Sequence, residues 1–355
     1  MKNKRIILPG IVCTVLMLAV IPLVVACSKP APAPAPTPAP APAPAPTPKP
    51  AVPIKIKAIT FTAHLTPTDM WSSFGILMNA INERAKGELV IECIGGPEAI
   101  AVKDQPEALK KGVVDMLMIA ASLNASFVPA GELLSLSTIP TAEERKSAVS
   151  DLLREEHKKA NMFYLGRVPT DDMVYSLLLR KQRPDTPYDM AGMRCGGASP
   201  AVKAIADAMG MSFIMVAMPE RYTAMERGMV DTFSMPLNSA ASWKMYEVCK
   251  YVVEHQFYRE NAVFLLNLDT WNKLPKNLQT LILDTYAATE AENVRLRTAD
   301  MQSAKKKFTD AKVEFVKFSP ADAKWFVDEI TKRESERMKQ LYPDIASRLM
   351  PLLQK

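Results

Sequence analysis

Read for the spacing of apolar and polar residues, the chain changes character twice. Residues 6–25 are almost wholly apolar, and from Pro30 to Pro50 every even position is proline. From Ile54 onward, short apolar runs alternate with stretches of helical periodicity. Residues 54–62 alternate as a strand does, and 69–86 carry helical spacing that stops at Gly87. Residues 89–94 read as a strand, followed by a Gly95-Gly96-Pro97 turn. A helix over 105–111, halted by Gly112, precedes a buried strand over 113–120. The same grammar returns later: a turn of helix at 187–191, a short strand at 193–195, and a helix at 199–209 closed by Gly210. Alternation of this kind predicts α/β lobes with ligands at the carboxyl ends of the strands.

One internal echo fits that reading. Ala108-Leu109-Lys110-Lys111-Gly112-Val113-Val114-Asp115 resembles Ala224-Met225-Glu226-Arg227-Gly228-Met229-Val230-Asp231, 116 residues further on. Each is a helix end, a glycine where positive φ is easy, then the start of a strand. One copy in each of two lobes of similar design would point the strand ends of both at one cleft. After Trp271-Asn272-Lys273-Leu274-Pro275 the pattern changes to one helical stretch, 277–308, without Pro or Gly. At 1.5 Å per residue it would run roughly 45 Å, longer than one lobe. A late strand at 313–318 and a helix at 320–341 follow.

The apolar run at the N-terminus follows Lys2, Lys4 and Arg5 and ends in Leu23-Val24-Val25-Ala26-Cys27. Small or apolar residues before a Cys resemble a bacterial lipobox, in which the thiol takes a diacylglycerol and the preceding bond is cut. An uncleaved membrane helix is the other reading; Pro9, Gly10 and Pro22 weaken it. Both place the body outside the cytoplasm. The proline repeat would form extended polyproline II, reaching roughly 75 Å at about 3.1 Å per residue. The expected organisation is a signal peptide over 1–26 and a lipidated Cys27 with its tether over 27–53. Lobe I then covers 54–171, completed by about 260–300, and lobe II covers 172–259, completed by about 301–355.

Composition narrows the chemistry. Removing 1–53 leaves 302 residues, enough for two lobes. The formal charge of +6 falls to +3 without the three leader cations, and no Lys/Arg cluster interleaves with aromatics, so nucleic acid is not an expected partner. Cys93, Cys195 and Cys249 are odd in number and widely spaced, which argues against a disulfide framework or zinc site. His64, His157 and His255 show no metal spacing. No nucleophile elbow, phosphate loop or complete dinucleotide motif is present. Asp171-Asp172, beside Pro169, reads as a helix cap or solvated loop. Neither a cofactor nor an enzymatic activity is expected.

Taken in order, the Cys motif, residues 54–62, 107–115, Asp189-Met190-Ala191-Gly192-Met193-Arg194, 221–231 and Trp271 to Pro275 resemble the solute receptors of tripartite ATP-independent periplasmic (TRAP) transporters. The resemblance spans nearly all of the mature chain. It implies a two-lobed α/β fold of periplasmic-binding-protein type, with crossing strands and a long lobe-bridging helix. It also implies hinge closure on a small organic acid, and docking on integral membrane small and large TRAP subunits driven by ion gradients. Arg194 is by resemblance the residue that grips the ligand carboxylate, which suits a planar guanidinium. The family's further polar and aromatic contacts fall near Ala120, Val174, Met218 and Met235, all apolar here, and His64 joins them as a candidate ligand-binding residue. Arg180 and Arg183 could add charge but read as solvated.

The expected function is therefore an extracytoplasmic receptor, lipid-anchored to the outer face of the cytoplasmic membrane. It would bind an organic acid with an apolar tail and deliver it to a TRAP transporter. A receptor that presents its ligand state to a membrane sensor protein remains the alternative.

Overall fold

The computed structural model describes residues 52–61, 72–169, 174–217, 220–255, 257–259 and 261–353. The leader, Cys27, the tether, His64 and Met218 lie outside the described residues.

The chain first builds β1 (Ile54–Thr60), α1 (Ser72–Arg84), β2 (Leu89–Cys93), α2 (Gln105–Lys110) and β3 (Met116–Ala120). Then come α3 (Thr141–Glu144), α4 (Ala148–Lys159) and β4 (Met162–Arg167). A second series follows: β5 (Tyr175–Leu179), β6 (Arg194–Gly197), α5 (Pro200–Ala208), β7 (Ser212–Met215), α6 (Arg221–Glu226), β8 (Thr232–Pro236), α7 (Leu237–Ser242) and β9 (Tyr251–Val253). The chain ends with β10 (Ala262–Asn267), α8 (Leu268–Lys273), α9 (Lys276–Asp310), β11 (Glu314–Val316), α10 (Pro320–Leu341) and α11 (Pro343–Leu349).

Two sheets result, each the centre of one lobe. The sheet of lobe I runs β2-β1-β3-β10-β4, and that of lobe II runs β7-β6-β8-β5-β9-β11. Apart from the added β11 the two orders correspond strand for strand. In both, three parallel strands carry one antiparallel neighbour, β10 on β3 in lobe I and β5 on β8 in lobe II. Each sheet buries both faces. In lobe I, Ile59, Leu117 and Val263 pack against α4, while Ala58, Met118 and Phe264 pack against α1 and α9. In lobe II, Leu177 and Cys195 pack against α5 and α10, while Leu178 and Phe233 pack against α6, α7 and α9. Double burial explains why β3, Met-Leu-Met-Ile-Ala, is apolar throughout rather than alternating.

The internal echo is realised bond for bond. Asp115 N–H donates to Lys57 O at 2.8 Å, and Lys57 N–H donates to the Asp115 carboxylate at 2.9 Å. In lobe II, Asp231 N–H donates to Arg194 O at 2.8 Å, and Arg194 N–H donates to the Asp231 carboxylate at 2.9 Å. The preceding turns also match. Val113 and Val114 N–H both donate to Ala108 O, and Met229 and Val230 N–H both donate to Ala224 O. Gly112 and Gly228 sit at φ +70° and +71°, where a side chain is strained. These turns consume residues expected to start the strand, so β3 begins at Met116 rather than 113. The short strand expected at 193–195 is β6, which extends further than expected, to Gly197. It runs through Gly196 and Gly197, poor strand formers, because a Cβ on Gly196 would lie 2.3 Å from the Phe233 ring.

Four connections join the lobes. The links after β4 and after β9 run side by side, with Tyr175 N–H donating to Tyr258 O at 2.8 Å and Val174 paired antiparallel to Arg259. The helix α9, 35 residues and so about 52 Å long, packs on α1 in lobe I and α7 in lobe II. Its buried face is partly polar along the middle (Thr289, Glu290, Asn293, Arg297), which is why its sequence lacks a clear apolar stripe. The fourth is α10. It packs on α5 in lobe II, yet Met338, near its end, and Ala346 and Leu349 of α11 belong to the core of lobe I. Arg337 fixes this return with ion pairs to Glu132 and Glu334, both at 2.7 Å. The assignment of 301–355 to lobe II is thereby corrected: the chain from Met338 onward completes lobe I.

Lobe I holds α9 through Tyr286, fully buried, whose hydroxyl donates to Arg167 O at 2.6 Å. Gly166 makes room for it, since a Cβ there would lie 2.3 Å from the tyrosine oxygen. Gly166→Ala is expected to displace the ring, break that bond and cost roughly 2–3 kcal/mol in urea denaturation. A loss below about 0.5 kcal/mol, the size of an ordinary surface change, would show that α9 is not seated this way.

Candidate functional site

The hinge locates the site. Ala120, last in β3, pairs with Ala262, and Ala121 N–H donates to Asn261 O beside the crossing segments. Pro236, last in β8, pairs with Tyr175, which itself bonds to Tyr258 of the other crossing segment. Both lobes therefore meet the hinge at the carboxyl ends of their parallel strands. Those two edges are the usual ligand position in open α/β sheets.

The expected residues do not all converge there. Ala120 lies on the lobe I edge and is buried. Met235 has its backbone on the lobe II edge, but its side chain packs in the core with Leu178 and Phe233. Val174 lines a cavity of about 190 Å³ at the hinge, with Ser137, Tyr258, Arg259, Ile330 and Glu334. Arg194 lies elsewhere. It opens β6, at the opposite edge of the sheet from Pro236, and its guanidinium makes two bonds of 2.8 Å to Asp231. It takes the place in lobe II that Lys57 takes in lobe I. There the ammonium bonds Val113 O at 3.0 Å. The Asp231 carboxylate lifts the Arg194 pKa, and Arg194 in turn holds Asp231 below the usual carboxylate range. Arg180 and Arg183 share this outer side. Arg180 donates to Glu226 O, and Arg183 pairs with Asp185 and with Glu314.

A different arginine stands near the hinge-facing edge. The chain leaves β7 at Met215 and enters α6 at Arg221, a buried residue. Its guanidinium carbon lies 5.9 Å from the centre of the Phe233 ring and 5.8 Å from that of Trp243. Phe233 comes from β8 and Trp243 from just after α7, so three elements converge on this cation. The charge opposes the effect of burial on the neighbouring Cys195 thiol, which is nonetheless pushed up to about 12. Large apolar side chains stand exposed along the same edges: Ile94 and Leu123 in lobe I, Met215 in lobe II. Among the described residues no group of His, Cys, Asp or Glu is placed to hold a metal ion.

Extending the internal echo three residues backwards would have found Arg221, because it is the counterpart of Gln105 across the same 116-residue offset. Gln105 also opens its helix fully buried, and donates to Thr60 O, at the carboxyl end of β1, at 2.9 Å.

Two α/β lobes of one topology, hinged where their strand ends meet, define a bilobal binding protein. Residues 72–340 match the DctP family, bacterial extracellular solute-binding proteins of family 7, and the chain belongs to that family. The fold is that of TRAP periplasmic solute-binding proteins. One from Desulfovibrio salexigens, solved with orotic acid bound, superposes with a TM-score of 0.73 at 18% identity, over 84% of this chain and 97% of that one. Another, from Ochrobactrum anthropi with its C-terminus bound in the ligand-binding pocket, gives 0.75 at 17% identity, over 85% and 95%. A curated relative, the uncharacterized protein y4mM of Sinorhizobium fredii, is 25% identical over 210 residues. That match takes in 57% of this chain and only 38% of the relative's length.

Arg194→Met separates the two edges. The Asp231 carboxylate stabilises the fold when ionised, so its contribution is present above its ordinary value near 4 and is lost as pH falls through its depressed folded value. The variant is expected to denature at lower urea than wild type at pH 7, with the gap closing below about pH 4. Its affinity for an acid ligand should stay within about twofold, against the roughly tenfold loss expected of a missing charged hydrogen bond. Abolished binding would return Arg194 to the ligand.

Proposed function

We propose that this chain is the extracytoplasmic receptor of a TRAP-type transporter, closing its lobes on a small organic acid and passing it to the small and large membrane subunits. The observation that carries the reading is the pair of matched strand edges flanking one hinge. Cys27 is the lipid attachment site in this reading, and the proline tether lets the body reach from the outer face of the cytoplasmic membrane. The organisation into a leader, a tether and two lobes belongs to the same proposal.

The ligand class follows from what stands at the edges. Ile94, Leu123 and Met215 offer apolar surface, while a second carboxylate set against such residues would be desolvated without recompense. Covering roughly 80 Å² of apolar ligand is worth about 2 kcal/mol. The favoured ligand is a monocarboxylate with an apolar or aromatic tail. The Desulfovibrio salexigens protein holds orotic acid, a monocarboxylate on a polar ring, which supports an acid ligand and leaves the apolar tail to the argument from the edges.

Calorimetry on the processed protein tests this with phenylacetate, butyrate and succinate. Phenylacetate is expected to bind about 30-fold more tightly than succinate, the ratio that 2 kcal/mol implies. Tighter binding of succinate overturns the ligand class. Failure to bind any acid, with none released on denaturing protein from its native host, overturns the receptor reading.

A further inference from the structure

We infer that His255 is a proton-operated tie in the hinge: its neutral imidazole holds the link after β9 to the head of α10, and protonation in mild acid releases the two and weakens ligand capture. The effect on capture rests on the receptor reading above, whereas the tie itself is read in the free protein.

Position comes first. The link after β9 and α10 are two of the four connections between the lobes, and they leave lobe II side by side. β9 and β11 are parallel neighbours, and Glu254 N–H, just past β9, donates to Val316 O at 3.0 Å. Just beyond, the pairing passes from main chain to side chain: Phe318 N–H donates to His255 Nε2 at 2.8 Å. The next residue, Ser319, caps α10 by accepting from Asp322 N–H. The His255 ring stacks on Phe318, with centres 5.1 Å apart and planes inclined at 30°, and lies 6.2 Å from the Phe326 ring of α10. Phe326 in turn meets Phe257, further along the link, at 5.2 Å. The imidazole is thus the polar member of a ring cluster that joins two connections at their root.

The chemistry of the bond decides what a proton does. A peptide N–H can only donate, so Nε2 presents its lone pair and the ring proton sits on Nδ1. The charged ring carries a proton on both nitrogens, which sets N–H against N–H and breaks the tie. Burial holds the His255 pKa below its ordinary value; Glu254 on the same link draws the proton in, and Lys317, just past β11, opposes it. Lys305 of α9 and Lys317, the latter at 3.6 Å, pair with Glu254 and blunt its pull, while α10 faces the ring with Phe326. The neutral form is the stabilising one. The tie is therefore complete above the ordinary histidine value of about 6.5 and is lost as pH falls through the depressed folded value. The far end of α10 stays fastened to lobe I through Arg337 and Glu132. A hinge loosened at its other root must be ordered again when the lobes close, which lowers affinity.

Two variants bracket the tie. In His255→Gln the amide oxygen can accept from Phe318 N–H at any pH, and in His255→Phe the ring packing stays while the acceptor goes. Amide exchange at Phe318, corrected for its intrinsic rate, is followed in the free processed protein from pH 7.5 to 4.5, with 116–119 of β3 as the control for global opening. Wild-type protection at Phe318 should fall roughly three- to tenfold, the range for one hydrogen bond, with 116–119 unchanged. His255→Gln should stay protected throughout, and His255→Phe should be weakly protected throughout. Phenylacetate, referred to its ionised form, should bind wild type roughly three- to tenfold more weakly at pH 5 than at pH 7.5, and His255→Gln equally at both. Constant protection of Phe318 in wild type overturns the inference, and so does an equal fall in protection or affinity in His255→Gln. If a variant fails to fold, the wild-type run decides: loss of protection at Phe318 must coincide with titration of an imidazole proton resonance, and separate midpoints overturn the tie. If no acid binds, the receptor reading falls, and exchange at Phe318 still decides on the tie.

Discussion

In each lobe one aspartate carboxylate holds a peptide N–H of the neighbouring strand, and the rest of the architecture depends on that bond. Asp115 does this for Lys57, and Asp231 for Arg194. The carboxylate arrives from a helix that has just ended at a left-handed glycine, so helix, turn and strand are locked in one register. Each aspartate also gives its own N–H to the residue it caps, closing a ring of two hydrogen bonds. Lobe I adds Thr270, whose hydroxyl donates to Asp115 at 2.8 Å. Lobe II adds the Arg194 side chain in the same role.

Fixing the amino ends of the strands has a consequence for the opposite ends. There no aspartate of a neighbouring strand makes the same pair of bonds among the described residues. The crossing segments enter both sheets at those ends, so motion about the hinge brings the two unclamped edges together while the clamped ones stay remote. Two long helices also span the lobes. Tyr286 and the buried cluster of Glu144, Tyr164 and Arg167 fasten α9 to lobe I, and Phe308 and Ala304 fasten it to lobe II. Rigid lobes joined by few segments are what a receptor needs to recognise a ligand by closing on it.

Much of this was legible in the sequence. The alternation of strands and helices, the long helix after Pro275 and the helix–glycine–strand echo reflect local rules that hold whatever surrounds them. What was not legible rests on residues whose surroundings are set by tertiary contacts. Arg194 follows a glycine turn, and its pairing with Asp231, 37 residues away, forms only in the folded lobe. Met235 sits beside a proline at a strand end, yet its side chain turns into the core. The rings about Arg221 lie 12 and 22 residues downstream and converge on it only when β8 and α7 form. The return of α10 and α11 to lobe I was equally hidden, since an amphipathic helix shows which face is buried but not against which lobe.

Backbone hydrogen exchange, measured with and without the acid that binds most tightly, tests the central claim that ligand meets the unclamped edges of both lobes. Slowed exchange is predicted at 119–124 in lobe I and at 195–199, 220–224 and 235–238 in lobe II, with no change at 113–116 or 229–232. Protection concentrated on the Arg194–Asp231 clamp, with the opposite edges unaffected, would contradict it.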